Sequence, residues 1–278
     1  MKKIAAIHDI SCFGRCALTV IIPLLSAMGE QVIPIPTALL STHTGGFEQP
    51  YFRDLSDDME SIVAHFDELG VKFDAIYSGF LGSARQIAIV EDIIDRFGGD
   101  CPVLVDPVMG DDGKLYSTYN DELVRGMARL CRRADVITPN VTEAHFLTGV
   151  DIPEIIPDAR AATELALELC ARMRRELGVE KIVITGIHFG DRVGNAVMVD
   201  GEVRLTSMPR LERSFPGTGE VFTSTLLGEI VRGKSLYDAA EAAQAFTYKV
   251  IEHSQSSPEP TRNGVLLEDC LSHLCDRQ

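Results

Sequence analysis

Residues 214–225, Ser-Phe-Pro-Gly-Thr-Gly-Glu-Val-Phe-Thr-Ser-Thr, form a glycine-containing turn that opens onto an apolar segment. Pro216 and the two glycines are turn residues, and nothing before Val221 has a strongly helical pattern. Apolar positions then continue as far as Val231. We therefore predict a loop that leads into a helix beginning at or near Gly217.

The start of this helix has the properties of a phosphate site. The first N–H groups of a helix lack partners within it and carry partial positive charge, and glycines let an anion approach them closely. Glu220, in the first turn, would be near enough to act as a base toward a hydroxyl that is being phosphorylated. Taken alone, the pattern is equally compatible with a surface turn in which Glu220 only favours the helix dipole.

Composition bounds the class of protein. The 278 residues carry 26 Lys and Arg against 41 Asp and Glu, a formal charge of −15 that disfavours binding to nucleic acid or to an anionic membrane. No apolar run reaches the roughly 20 residues of a membrane span. The seven scattered cysteines are typical of reduced thiols in a cytoplasmic protein. No segment has the composition of a linker, and we expect a single domain over residues 1–278.

Apolar runs and helical periodicities alternate along the chain. Apolar runs predict strands at 4–7, 31–38, 75–78, 102–107, 136–140 and 181–186, and a hairpin at 193–207. Helical spacing predicts helices at 16–28, 54–69, 83–97, 141–149, 159–177 and 235–253. Pro34 and Pro36 predict that the second strand is irregular or at an edge. The alternation is typical of a mainly parallel sheet that helices cover on both faces.

Polar residues are concentrated where the predicted strands end. They are Asp9 and Ser11 in a predicted loop after the first strand, Asp106, Asn140 with Glu143, and Thr185. Ligands of open α/β sheets bind at these ends, so we expect one cleft to contain all of them. Segment 40–47, with His43 and Thr44, is polar and contains two glycines. It is predicted to be a binding loop or lid, the alternative being an ordinary solvated turn.

Several motifs occur in an order that resembles one family. They are Ile-Ala-Ala-Ile-His-Asp at 4–9, Ser-Thr-His-Thr-Gly at 41–45, Asp-Pro-Val-Met-Gly-Asp at 106–111, Thr-Pro-Asn-Val-Thr-Glu-Ala at 138–144 and Gly-Thr-Gly-Glu at 217–220. In these motifs and their order, the chain resembles the pyridoxal/pyridoxamine (vitamin B6) kinases of the ribokinase-like superfamily. The resemblance implies a three-layer α/β/α sandwich with a mainly parallel central sheet. It also implies a homodimer that uses ATP, Mg²⁺ and a monovalent cation such as K⁺ to phosphorylate the 5′-hydroxymethyl group of a B6 vitamer.

The resemblance also implies roles for individual residues. Glu220 would be the catalytic base, and the N–H groups of Gly217 and Gly219 would stabilise the transferring phosphoryl group. The nucleotide would contact Asp106, Asn140, Thr185 and Thr218. Asp106 and Glu143 would organise Mg²⁺. The pyridine ring would lie against Asp9, Ser11, His43, Thr44 and Phe80.

Two residues depart from the family pattern. Glu220 stands where the family almost always has Asp, and Phe80 stands where many members have an aromatic hydroxyl. Reference pKa values of Glu and Asp differ by only about 0.4, whereas a displacement of about 1 Å at a catalytic group can cost on the order of a hundredfold in rate. Geometry therefore decides whether Glu220 works. We expect a working kinase that is slow unless the loop around Glu220 accommodates the extra methylene group.

Two other functions fit parts of the pattern. A hydroxymethylpyrimidine kinase of thiamine synthesis shares the Asp-Pro-Val-Met and Pro-Asn motifs, although His43-Thr44-Gly45 favours the B6 branch. A non-catalytic B6-binding protein would explain Glu220 as a trace of lost activity. Binding of pyridoxal without turnover of ATP would identify this second alternative.

Overall fold

The computed structural model describes residues 1–275. The strands within this range are β1 Lys3–Phe13, β2 Gln31–Thr42, β3 Phe52–Asp54, β4 Ala75–Ser78, β5 Val103–Val105, β6 Gly110–Asp111, β7 Lys114–Leu115, β8 Val136–Ile137, β9 Lys181–Phe189, β10 Arg192–Val199 and β11 Glu202–Pro209. The α-helices are α1 Leu18–Ala27, α2 Ser56–Glu68, α3 Ala84–Phe97, α4 Asp121–Cys131, α5 Val141–Thr148, α6 Ala159–Leu177, α7 Thr218–Val231 and α8 Leu236–Gln255. Short 3₁₀ helices follow at Thr261–Asn263 and Glu268–Leu274.

The main sheet has nine strands in the order β11-β10-β9-β8-β5-β4-β1-β2-β3. Neighbours from β9 through β2 are parallel, and β3, β10 and β11 are antiparallel additions at the two edges. The prediction of a mainly parallel sheet is therefore confirmed. The chain first moves from β1 to β2 and the edge strand β3, and the strands of the main sheet from β4 onward are added on the other side of β1. This reversal makes the β1/β4 boundary the topological switch point, where α/β folds bind ligands.

Helices cover both faces of the sheet, so the three-layer architecture is confirmed. Helices α2 to α6 pack on one face around a core that includes Ile76, Ile93 and Leu169. Helices α1, α7 and α8 pack on the other around Ile4, Leu24 and Leu226, each fully buried. Burying both faces explains why the central strands are continuous apolar runs without alternation. Strand β11 runs in the same direction as β9, so α7, which follows it, begins at the carboxyl edge of the sheet.

The first strand is longer than predicted. The sequence predicted a polar loop after Ile7, but β1 continues to Phe13, where it still pairs with Thr42 of β2. Asp9 and Ser11 therefore lie within a strand and not in a loop. The β1/β2 register shifts between His8 and Ile10, and such irregularities commonly adjust side chains beside active sites.

The second strand was also predicted incompletely. It runs without a break from Gln31 to Thr42, so the start of segment 40–47 is strand and not loop. It lies next to the edge strand β3, which pairs only with residues 38–40. The part that contains Pro34 and Pro36 has a neighbour on one side only, which is why prolines without an N–H are tolerated there.

Most other elements agree closely with the sequence pattern, but helix α4 (Asp121–Cys131) was not predicted. Helix α6 has the predicted bounds, α7 begins one residue after Gly217, and β10 and β11 form the predicted hairpin. The short strands β3, β6 and β7 were missed because two or three residues carry no detectable periodicity. Among the described residues, no helix combines the length and apolarity needed to span a bilayer.

Candidate active site

The glycines at the start of α7 have different surroundings. Gly217 is the N-cap residue, with φ +86°, and a Cβ atom there would overlap the carbonyl oxygen of Arg15. Gly219 is exposed, and a Cβ atom there would meet nothing within 4 Å. Gly217 thus lets the helix start pack against the first loop. Gly219 leaves open space above amides that have no partner within the helix. The Thr218 hydroxyl donates to the Phe215 carbonyl (3.2 Å).

Glu220 points from the first turn of α7 toward the segment that connects β1 to α1. Its Oε1 atom accepts hydrogen bonds from the Ala17 N–H (3.1 Å) and the Cys16 thiol (3.2 Å). Within residues 1–275, Oε2 accepts no hydrogen bond. One carboxylate oxygen is held, and the other is available to a ligand.

Asp9 brings a second carboxylate to this place. It is 7% exposed, and it accepts a hydrogen bond from the Ser11 hydroxyl at 3.0 Å. Burial raises the pKa of Asp9 to about 7, and the charge of Glu220 adds to the rise, whereas the Ser11 hydrogen bond opposes it. A neutral or proton-sharing Asp9 is therefore accessible near physiological pH.

Asp106 lies where β5 ends, against the inner face of α7. The Thr223 hydroxyl, one helical turn after Glu220, is 3.4 Å from Asp106 Oδ2 and 3.5 Å from the Thr138 hydroxyl. Burial raises the pKa of Asp106 to about 7, with a further contribution from the negative charge of Glu220. The helix and the strand end therefore share one buried polar layer.

Asn140 and Glu143 form a capping box at the start of α5. The Asn140 Oδ1 atom accepts from the Glu143 N–H (2.9 Å), and Glu143 Oε2 accepts from the Asn140 N–H (2.8 Å). Their remaining polar atoms bind the β5–β6 segment, since Glu143 Oε1 accepts from the Met109 N–H and Asn140 Nδ2 donates to the Gly110 carbonyl. Burial and the charge of Asp106 raise the pKa of Glu143 well above its usual range. Thr185 of β9 forms a parallel bridge with Asn140.

The site is acidic and has no internal counter-ions. Among residues 1–275, none of Asp9, Asp106, Glu143 and Glu220 forms an ion pair. In the same range, no group of three or more His, Cys, Asp or Glu side chains could hold a metal ion alone. Buried carboxylates without cationic partners favour a cationic ligand or a proton. An anionic ligand would need cations that accompany it.

The other predicted residues lie around this centre with separate contacts. His43 is 6% exposed: its Nε2–H donates to the Arg262 carbonyl (2.7 Å), and its Nδ1 accepts from the Gly45 N–H (3.1 Å). These bonds attach the segment after β2 to the C-terminal 3₁₀ turn. Thr44 is exposed, and Phe80 is half-buried against the α2–α6 core.

Sequence reasoning missed the partners of the predicted residues. It did not single out Cys16, Ala17 or Arg262, because their roles depend on contacts between segments distant along the chain. Thr223 did carry a signal. It lies three residues after Glu220, so both face the same side of the helix.

Comparisons with known proteins cover the same region. A sequence model of the family described as phosphomethylpyrimidine kinase matches residues 3–262. A Bacteroides thetaiotaomicron protein, provisionally named a phosphomethylpyrimidine kinase and crystallised with pyridoxal, is 39% identical to this chain. The two structures superpose with a TM-score of 0.90, covering 98% of this chain and 95% of the other.

Two proteins named for pyridoxal kinase are also similar. The pyridoxal kinase of Lactobacillus plantarum is 29% identical, with a TM-score of 0.88 over 99% of this chain and 96% of its own. The pyridoxal kinase PdxY of Leifsonia xyli is 25% identical over 270 residues, 92% of this chain and 91% of its own. The similarity therefore extends over all the strand ends that build the site.

Proposed function

Since the chain belongs to the phosphomethylpyrimidine kinase family, we propose that it transfers the γ-phosphoryl group of ATP to the 5′-hydroxymethyl group of a vitamin B6 vitamer. The acceptor would be pyridoxal, pyridoxamine or pyridoxine, and the product a 5′-phosphate. The related protein crystallised with pyridoxal supports a B6 acceptor over a pyrimidine. The same similarity supports one catalytic domain over the matched residues.

The orientation of Glu220 carries the proposal. Its Oε1 atom is held by the Ala17 N–H and the Cys16 thiol, and its Oε2 atom accepts no hydrogen bond from the described residues. A base for phosphoryl transfer needs one oxygen that can accept the proton of the attacking alcohol. Oε2 would be that oxygen. A Glu at this position is therefore compatible with catalysis.

The phosphates would bind at the N-terminus of α7. The amides of Thr218, Gly219 and Glu220 have no partners within the helix, so they can donate to the oxygens of the transferring group. Gly217 keeps this turn against the Arg15 carbonyl, which fixes the direction of the amides. Phosphoryl transfer depends mainly on such positioning and charge stabilisation.

The donor set fits Mg²⁺. Asp106 and Glu143 supply carboxylate oxygens at one edge of the sheet, and Mg²⁺ is usually held by one or two carboxylates together with substrate phosphates. Mg²⁺ bound there would neutralise phosphate charge. Asn140 would act by keeping Glu143 oriented, because both polar ends of its side chain already have protein partners. A monovalent cation such as K⁺ stays a prediction without assigned ligands.

The vitamer would lie between β1 and the segment after β2. Asp9 and Ser11 would face the polar edge of the pyridine ring, and Phe80 would contact its face. His43 would act indirectly, because its two ring nitrogens already bind Arg262 and Gly45. It would hold the segment that carries Thr44 and so help exclude water, which competes as a phosphoryl acceptor.

The test compares acceptors and two Glu220 variants. Purified protein with ATP and Mg²⁺ is supplied with each B6 vitamer or with hydroxymethylpyrimidine, and both ADP and the phosphorylated product are quantified. We expect phosphorylation of at least one vitamer, a loss of about 10²- to 10⁴-fold in kcat for Glu220→Gln, and retained activity for Glu220→Asp. Preference for hydroxymethylpyrimidine would support the thiamine branch. Vitamer binding without any turnover would support the non-catalytic alternative.

The assembly and compartment are part of the same proposal. Two aromatic side chains at the β3 edge are exposed: Tyr51 (60%) and Phe52 (41%). A homodimer through this edge would cover them and the unpaired side of β3. All seven cysteines are free thiols, which supports a reducing cytoplasm. Sedimentation of the wild-type protein and of Phe52→Lys would test the dimer, which the variant should dissociate.

A further inference from the structure

Two donors meet on one oxygen of Glu220. The Cys16 Sγ atom lies 3.2 Å from Oε1, and the Ala17 nitrogen lies 3.1 Å from the same oxygen. Sulfur–oxygen contacts of this length are hydrogen bonds, with the thiol as the weak donor. The carboxylate is therefore fixed through Oε1 alone.

The backbone around this contact is also unusual. Ala17 has φ +52° and ψ −134°, a sparsely populated conformation for a residue with a Cβ atom. Its N–H is the one that donates to Glu220 Oε1. Such strain persists only where the surroundings impose it, and it is concentrated at functional sites. Arg15, two residues before Ala17, is anchored by its N–H to the Asn263 carbonyl at 3.0 Å.

We propose that Cys16 is a positioning residue for Glu220, an inference that rests on the proposed function. The Cys16 thiol and the Ala17 N–H hold Oε1 of Glu220 by hydrogen bonds, and this sets the direction in which Oε2 points. An Asp at position 220 would be one methylene shorter and would not need this second donor. Cys16 would thus allow the longer Glu side chain to serve as the base.

The protonation state of the thiol agrees with a donor role. Burial raises the pKa of Cys16 well above its usual range, and the charges of Glu220 and Asp9 raise it further. The group is consequently an S–H and not a thiolate at neutral pH. A proton on sulfur is what the contact with a carboxylate oxygen requires.

Turnover of three variants tests the role. We expect Cys16→Ala to lower kcat about ten- to a hundredfold, with little change in the KM of ATP or vitamer, because only the base is displaced. Cys16→Ser should recover most of the loss, since a hydroxyl can also donate. In the Glu220→Asp background, Cys16→Ala should have little further effect, because the shorter side chain has already left the contact. Additive losses, or equal losses for Ala and Ser, would overturn the inference.

The rate at which Cys16 is labelled tests its contact with Glu220 without relying on turnover. Iodoacetamide labelling at pH 8, resolved by peptide mass spectrometry, compares wild-type protein with Glu220→Gln. We expect Cys16 to react about tenfold faster in the variant, because loss of the neighbouring charge favours the thiolate. Cys101, whose thiol contacts the Phe97 carbonyl (3.7 Å), is an internal standard that should not change. Equal Cys16 rates would overturn the contact itself, whereas failure of every vitamer in the turnover assay would overturn only the proposed reaction.

Discussion

Gly219→Ala should separate stability from activity. Gly219 lies inside the first turn of α7, is exposed, and would meet no protein atom within 4 Å if it carried a Cβ. Alanine in a helix is favoured over glycine by about 0.5–1 kcal/mol. For a chain of this size that gain corresponds to a rise of roughly 1–4 °C in Tm. The variant should therefore be at least as stable as the wild-type protein.

Its activity should fall, however, for a geometric reason. A helical Cβ tilts toward the helix N-terminus, which is where the phosphates are proposed to bind. A methyl group there would move the phosphoryl group by about 1 Å, enough to cost on the order of a hundredfold in kcat/KM. Thermal unfolding and coupled ADP release on the same preparation measure the two effects.

Gly217→Ala is the matched control, only two residues away. Its positive φ (+86°) and the Arg15 carbonyl both exclude a Cβ atom. This variant should lose at least about 1–2 kcal/mol of stability. We expect Tm to fall for Gly217→Ala and to hold or rise for Gly219→Ala. A Gly219→Ala enzyme with normal kcat/KM would refute the phosphate site at this helix start.

Three further outcomes follow from the site. Asp9→Asn should be more stable than the wild-type protein at pH 8 but not at pH 4. The pKa of Asp9 is raised from 3.8 to about 7 by folding, so between these pH values folded Asp9 keeps a proton that the unfolded chain has lost. The free energy of unfolding of the wild-type protein therefore falls by up to about 4 kcal/mol as the pH rises through this window. Urea unfolding at both pH values checks this, and a pH-independent difference would contradict it. Asn140→Ala should lose about 1–3 kcal/mol of stability and should also lose activity. Asp158→Ala removes only the α6 cap, so it should lose stability alone. Thermal unfolding and turnover, measured on both variants, check this. His43→Phe should raise the vitamer KM and the rate of ATP hydrolysis without acceptor, because the contacts with Arg262 and Gly45 are lost; unchanged hydrolysis would argue against a lid.

Much of the fold was predictable because its signals are local. The αL cap at Gly178 and the Asp158 N-cap delimit α6, and the sequence pattern gave both bounds. The length of β1 was not predictable in this way. Residues 8–13 contain few β-favouring apolar side chains, and they are strand because β2 pairs with them as far as Thr42. Tertiary pairing overrode local propensity there.

The site was predictable as a set of positions but not as a set of contacts. Parallel strands bring their carboxyl ends to one edge, so Asp9, Asp106 and Asn140 could be grouped from the order of elements alone. The partners of His43 and Glu220 could not be predicted. Residues 43 and 262, or 16 and 220, are separated by some two hundred positions, and no pattern within one segment relates them.

Because the site is negatively charged, a phosphate ligand would have to bind through backbone amides and through a cation held by the buried carboxylates. The chain has a formal charge of −15, and none of the four site carboxylates has a cationic partner within residues 1–275. A triphosphate would therefore gain no attraction from side-chain cations at this centre. What the protein offers is a helix N-terminus beside Gly219 and buried acids that gain from an incoming cation. Binding of nucleotide and metal together satisfies both. Glu220 Oε2, which accepts no hydrogen bond from the described residues and has no metal role, is then left for the proton of the alcohol.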